Sequence, residues 1–200
     1  MTIRNVSNVP TDVQRAAKNC SAYLQDLEAR YSDRCSSRNA INLPVIAFCG
    51  HGRAGKDTAA AWFGASTAIE YCGSVSSAVC PLVANALEQP TDVAFAERHE
   101  DRQYWFEFCN ELRRCDPTLL VRMTLGLGDV VAGIRGDIEF QACVQKGLVD
   151  LTVWVENPSV DIDPTLEYTR ADCDIVIDNC TTKVQFYRKL QKLAEILRLA

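Results

Sequence analysis

Nine consecutive residues, Gly50-His51-Gly52-Arg53-Ala54-Gly55-Lys56-Asp57-Thr58, carry the clearest chemistry in the chain. They fit G-x-x-x-x-G-K-[ST], except that Asp57 takes the Ser/Thr position and Thr58 follows it. Glycines allow successive backbone N–H groups to turn inward around a phosphate. A helix starting after them adds about half a positive charge at its N-terminus. Lys56 can reach the β- and γ-phosphates of a nucleoside triphosphate and neutralise charge that builds up during transfer. Asp57 supplies an oxygen where the motif has a hydroxyl, so Asp57 and Thr58 are the candidate magnesium ligands. His51 reads as a loop-forming or phosphate-proximal residue. The competing possibility is a ligand-free turn from strand to helix. The apolar run before the glycines, the helix after them, Arg53 and the Asp-Thr pair weigh against it.

Other residues are candidates for an acceptor. Arg98, Arg102, Trp105, Phe106, Cys109 and Arg113 fall on one broad helical face. Arginines clamp phosphates with two parallel hydrogen bonds, and aromatics stack on bases. A core helix whose arginines pair with Glu97, Glu100, Asp101 and Glu107 is the alternative. Arg114 and Arg122 are further candidates. Arg135 is expected at the C-terminal end of a central strand, where open α/β sheets bind ligands. Glu139 is a candidate to orient Arg135 or a metal-bound water; a solvated helix acid is its alternative. A hydroxyl acceptor benefits from a general base, and Asp57 and Asp129 are the acids considered for it. Asp129 sits at the wrong end of its strand to replace an acid at the strand tip, where Gly133 and Arg135 stand instead. The turn from Asn179 to Thr182 either lies near a nucleotide base or caps the last helix. The basic residues Lys183, Arg188, Lys189, Lys192 and Arg198 read as a solvated face. Asn157 to Thr169 has no Lys or Arg, so a lid supplying arginines is not expected there.

The elements that must position these residues follow from periodicity. Thr11 and Gln14 have capping-box spacing, and Val13, Ala16, Ala17, Cys20, Leu24, Leu27 and Tyr31 recur at helical period. Ser32 to Asn42 reads as a polar linker, so the helix is expected to be an appendage docked on the core or on a partner. Leu43 to Cys49 is a buried strand ended by glycine, and a helix begins at Asp57. A weak strand signal lies near Cys72 to Cys80. Phe95 to Leu112 has helical spacing. Val130 to Ile134, Leu151 to Val155 and Asp174 to Ile177 read as strands. Ile138 to Lys146 and Thr182 to Leu199 read as helices. The alternation predicts an α/β fold with a mainly parallel sheet flanked by helices. Expected boundaries are 1–42 for the N-terminal helix and linker, and 43–200 for the main domain.

Composition agrees with a folded chain. Of 200 residues, 48% are hydrophobic and 24% charged, which excludes a mostly disordered protein. A net charge of -5 argues against non-specific wrapping of nucleic acid. The 10 cysteines contain no C-x-x-C pair, and only two histidines are present, so a zinc site has little support. No signal peptide and no membrane span is expected, and a reducing, cytoplasmic setting is the expectation.

The run G-x-x-x-x-G-K-D-T after a strand resembles the P-loop (Walker A) of phage deoxynucleoside monophosphate kinases. Phosphomevalonate kinases of the same broad class share the G-K-D form. Asp101 to Arg122 (DRQYWFEFCNELRRCDPTLLVR) looks like that family's acceptor-side helix. Gly128 to Glu139 (GDVVAGIRGDIE) is similar to its strand ending in Val-Arg. Asp174 to Lys183 (DIVIDNCTTK) resembles its terminal strand and Asn-x-x-Thr turn near the adenine, which makes Asn179 a nucleotide-binding candidate. VVAGIRGDIEF followed by LVDLTVWVENPSVDIDPTLEY also looks like phage kinases that phosphorylate 5-hydroxymethyluracil already built into DNA. The resemblance implies a P-loop NTPase fold of nucleotide-kinase type with an extra N-terminal helix, using ATP and magnesium. It favours the 5-hydroxymethyl group of a modified pyrimidine in phage DNA as acceptor, in the host cytoplasm. A free deoxynucleoside monophosphate is the alternative acceptor. An ATP-binding regulatory module without turnover is the non-kinase alternative.

Overall fold

The structure is a computed structural model and describes residues 6–199; residues 1–5 of the expected N-terminal segment lie outside the described part. Four strands, β1 (Ile46–Cys49), β2 (Val130–Ala132), β3 (Leu151–Glu156) and β4 (Ile175–Asp178), form one sheet in the order β2-β1-β3-β4. Every pairing is parallel; Phe48 lies opposite both Ala132 and Val153. The protein is therefore α/β, with a parallel sheet flanked by helices.

Strand alternation explains the layers. Ile46 and Phe48 point to one face, where α3 (Lys56–Ser66) and α9 (Lys183–Ile196) bury Ala59, Ala60, Phe63, Phe186, Leu190 and Leu193. Ala47 and Cys49 point to the other face. There they meet the core formed by α4 (Val75–Ala86), α6 (Arg102–Cys115), α7 (Leu119–Leu125) and α8 (Asp137–Gln145). Both faces of β1, β2 and β3 are covered, so these strands read as continuous apolar runs, whereas the edge strand β4 leaves Val176 and Asp178 exposed. A short helix, α5 (Thr91–Glu97), precedes α6.

The N-terminal segment differs from expectation. It forms α1 (Val9–Asn19) and α2 (Ser21–Ile41), and the stretch read as a linker is the second half of α2. Serines in that stretch turn their hydroxyls back onto the helix. Ser32, Ser36 and Ser37 donate to the carbonyls of Glu28, Ser32 and Asp33. Such bonds satisfy the hydroxyls within the helix without adding to its stability. The helix ends only at Asn42, with φ of 53°. Val9, Val13, Ala16 and Leu27 are buried in the same cluster as α4, α6 and α7. The N-terminal helices are thus part of the core.

Two further expectations are corrected. The weak strand near Cys72 to Cys80 is the start of α4, which opens with a capping box between Ser74 and Ser77. Its buried positions include Val75, Ala78, Val79, Leu82, Val83 and Ala86 at helical spacing, with Cys80 and Ala84 buried beside them. The helical run from Phe95 to Leu112 is broken between Glu97 and Arg102. None of the described helices is long and apolar enough to cross a membrane.

Asp129 explains how α2 is held. It precedes β2, at the end of the sheet remote from the glycine loop, because Ile46 at the start of β1 pairs with Val130. Its carboxylate accepts from Arg34 Nη1 at 3.2 Å, Arg38 Nη1 at 3.2 Å and the Glu70 amide at 3.1 Å. Arg34 also pairs with Glu70. Asp129 is therefore a buried anchor and is corrected as a candidate general base. Removing one member of a buried ion cluster strands the others. Asp129→Ala should lower stability by about 3 kcal/mol in urea unfolding. A loss below about 1 kcal/mol would show that the bridge does not hold α2.

Candidate functional site

The glycine loop connects β1 to α3, and its first and last residues, Gly50 and Gly55, have no room for a side chain. Gly50 has φ of +128°, and a Cβ there would stand 2.6 Å from the Val155 carbonyl oxygen. Gly55 has φ of +109°, and a Cβ there would meet Asn179 Nδ2 at 2.5 Å. Both positions need glycine for conformation and for space. Arg53 adopts φ of 63°, a left-handed conformation that costs energy outside glycine. Asn179, just after β4, donates from Nδ2 to the Ala54 carbonyl at 2.9 Å. In this structure Asn179 acts on the loop, buttressing it from the side. Thr182 caps α9 by accepting from the Gln185 amide, the second of the two roles considered for that turn.

Lys56 is the first residue of α3, and its side chain is buried against the loop. Its Nζ donates to the His51 carbonyl at 2.6 Å. Burial, and next the charge of Arg135, push its pKa down to about 8. A buried ammonium facing another cation is a site that an anion would stabilise. Asp57 and Thr58 lie exposed on the same first turn, side by side. Asp57 Oδ1 accepts from the Tyr71 hydroxyl at 3.3 Å. Asp57 and Thr58 put two side-chain oxygens on the first turn after the loop, while the described residues contain no cluster of three or more His, Cys, Asp or Glu suited to a metal.

Asp163 was missed by the sequence reading, and it organises the mouth of the loop. Its carboxylate accepts from Arg102 Nη2 at 2.9 Å on each oxygen, from Arg135 Nη1, and from the Thr165 amide and hydroxyl at 3.1 and 2.6 Å. Its amide donates to His51 Nδ1 at 3.2 Å. A Cβ on Gly52 would come within 3.2 Å of Asp163 Oδ2. Burial alone would raise its pKa, but hydrogen bonds from Thr165 and Arg135 outweigh that and hold it well below the carboxylate range. The available signal was the Asp163-Pro164-Thr165 turn chemistry.

Of the arginines proposed for an acceptor, the structure brings Arg102 and Arg135 to the loop and leaves the others engaged elsewhere. Arg98 donates to the Phe95 carbonyl at 2.6 Å and lies over the Phe95 ring. Arg114 pairs with Glu111 within its own helix. Arg122 pairs with Asp116 and reaches Glu28 on α2. Trp105 is buried in the core, with an unpartnered Nε1. In this structure the first three have partners away from the loop, and Trp105 is part of the core. Arg113 donates from Nε to Glu139 Oε2 at 2.9 Å. Glu139 is fully buried and also accepts from the Arg135 main-chain amide at 3.4 Å. It therefore meets Arg135 through the backbone rather than the guanidinium. Burial raises its pKa against the lowering effect of Arg113.

No protein-family model matches this chain, and a comparison with curated proteins finds no match.

The Lys56 environment predicts a pH dependence. With its pKa near 8, Lys56 is protonated below that pH and neutral above it. An anion favours the protonated form, so binding should weaken as pH rises through about 8, by up to about tenfold per unit. Calorimetric titration with inorganic tripolyphosphate checks this. Lys56→Arg, cationic throughout, should lack the alkaline decline. A wild-type profile that matches the arginine variant would contradict the assignment.

Proposed function

We propose that this chain is an ATP-dependent phosphotransferase of the P-loop nucleotide-kinase type. One observation carries the proposal: a buried lysine at the start of α3 is folded back onto a loop whose Gly50 and Gly55 have no room for a Cβ, with burial and then the charge of Arg135 depressing its pKa. In this reading the loop amides and Lys56 hold the β- and γ-phosphates, and Arg135 offsets charge spread over the transferred group. Asp57 and Thr58 would hold a magnesium ion, which would supply positive charge against the charge of the phosphates. An acceptor oxygen attacks the γ-phosphorus, the bond to the β–γ bridging oxygen breaks, and ADP leaves. A hydroxyl acceptor also gives up its proton to a base.

The resemblance of the central region favours the 5-hydroxymethyl group of a pyrimidine in DNA as acceptor. A free deoxynucleoside monophosphate is the second reading, and the disposition of the acids favours it. Asp129 is committed to Arg34 and Arg38, and the Asp163 oxygens are filled by Arg102, Arg135 and Thr165. That leaves Asp57 to serve as a base at the loop, and a phosphate acceptor needs none.

Incubation with γ-labelled ATP and either hydroxymethyluracil-containing DNA or free deoxynucleoside monophosphates tests both. Label should enter one acceptor, and Lys56→Ala should cut transfer by about a hundredfold or more with an unchanged circular dichroism spectrum. ATP binding without label in either acceptor would instead support a regulatory module. Undiminished transfer by the alanine variant would remove the glycine loop from the chemistry.

A further inference from the structure

The sheet carries the same charge arrangement at both ends, one carboxylate between two arginines, with different exposure. Around Asp129 the arginine side chains are 24% and 7% exposed. Arg34 there has a second acid, Glu70, as partner. Around Asp163 the carboxylate is 2% exposed while Arg102 and Arg135 are 52% and 29% exposed. Asp163 engages Nη2 of Arg102 and Nη1 of Arg135. Thr165 Oγ1 adds one more acceptor to that same Arg135 nitrogen, at 2.9 Å. The other nitrogens of both forks have no hydrogen-bond partner among the described residues. A guanidinium gripped at one corner keeps donors for a second anion.

The segment that bears Asp163 is itself fixed. Glu167 donates its amide to the Arg135 carbonyl at 3.0 Å and accepts from the Asp137 amide at 3.1 Å. The Tyr168 hydroxyl donates to the Ile134 carbonyl at 3.0 Å, and its ring stacks on Phe140. Asp163 thus joins three parts of the chain, the glycine loop through His51, the start of α6 through Arg102, and the β2–α8 turn through Arg135. All its acceptor positions are filled, which suits an anchor and leaves little capacity for a proton.

We propose that Asp163 is a positioning residue for phosphate binding: it holds Arg102 and Arg135 beside the glycine loop as a two-armed clamp whose unused N–H groups grip a polyphosphate chain. This rests on the reading of the loop as a phosphate site and extends it to a segment without a basic residue. Asp163 does not touch the phosphates; it sets where two arginines stand.

The test is calorimetric binding of magnesium–ATP and of inorganic tripolyphosphate to the full chain, with thermal unfolding to confirm the fold. Asp163→Asn keeps shape and loses charge, and it should weaken both ligands about tenfold. Arg135→Met should cost about the same in the wild-type background and little more in the Asp163→Asn background, because the two act as one unit. Side-chain nitrogen NMR should show Arg135 guanidinium rotation slowed in the wild type and freed in Asp163→Asn. Unchanged affinity in folded Asp163→Asn overturns the proposal, and so does tighter binding, which would make Asp163 a competitor of phosphate. An Arg135→Met cost that is undiminished in the Asp163→Asn background also overturns it. If Asp163→Asn fails to fold, the Arg102→Met/Arg135→Met protein decides, and wild-type affinity there overturns the clamp. The parent reading fails differently: wild type and Lys56→Ala would both bind no ATP, and the clamp would fall with it. ATP binding that Lys56→Ala loses and Asp163→Asn keeps removes the clamp alone.

Discussion

The end of β1 has no space beside it, and that constraint shapes everything near the site. The neighbouring strand β3 and the turn after β4 crowd the loop: the Val155 carbonyl stands where a Gly50 Cβ would be, and the Asn179 side-chain amide stands where a Gly55 Cβ would be. Backbone therefore lines the connection, and backbone brings N–H groups. The same tightness starts α3 at Lys56, so the ammonium folds back over the loop instead of extending into solvent. Burial then makes its charge costly, and an added anion would relieve that cost.

Charge is arranged with opposite purposes along the sheet. At the start of the strands, Asp129 ties α2 to the core with arginines that are mostly buried and a further acid for Arg34. Such a cluster is closed: it holds structure and offers nothing to a ligand. At the strand ends, Asp163 is buried but its arginines remain open, beside a lysine whose pKa is depressed by burial and then by Arg135. Ligands of open α/β sheets bind at that end because connecting loops diverge there and helix N-termini point into the gap.

Much of the fold was legible in local pattern. The strand–glycine–helix unit, the four strands and the last helix follow from short β-branched runs and from 3.6-residue spacing. Ser32 to Asn42 has the composition of a loop; it is held as helix by tertiary contacts, with Arg34 and Arg38 finding Asp129 across the core. The run after Gly73 was ambiguous between strand and helix, and burial on a helical period decided it. At the site, Lys56, Arg102 and Arg135 were legible as cations suited to phosphate, whereas Asp163 sat in a stretch notable for lacking them.

Composition and spacing by themselves determined the α/β class, the parallel character of the sheet and the loop from Gly50 to Thr58, because these depend on residues close in sequence. Only the tertiary structure decided which arginines converge. Arg98, Arg114 and Arg122 carry the same guanidinium as Arg102 and Arg135, and chain path alone gives them acids or carbonyls at hand. Partner choice is a long-range property: Asp163 lies 61 residues from Arg102 and 28 from Arg135, and no periodicity spans those gaps.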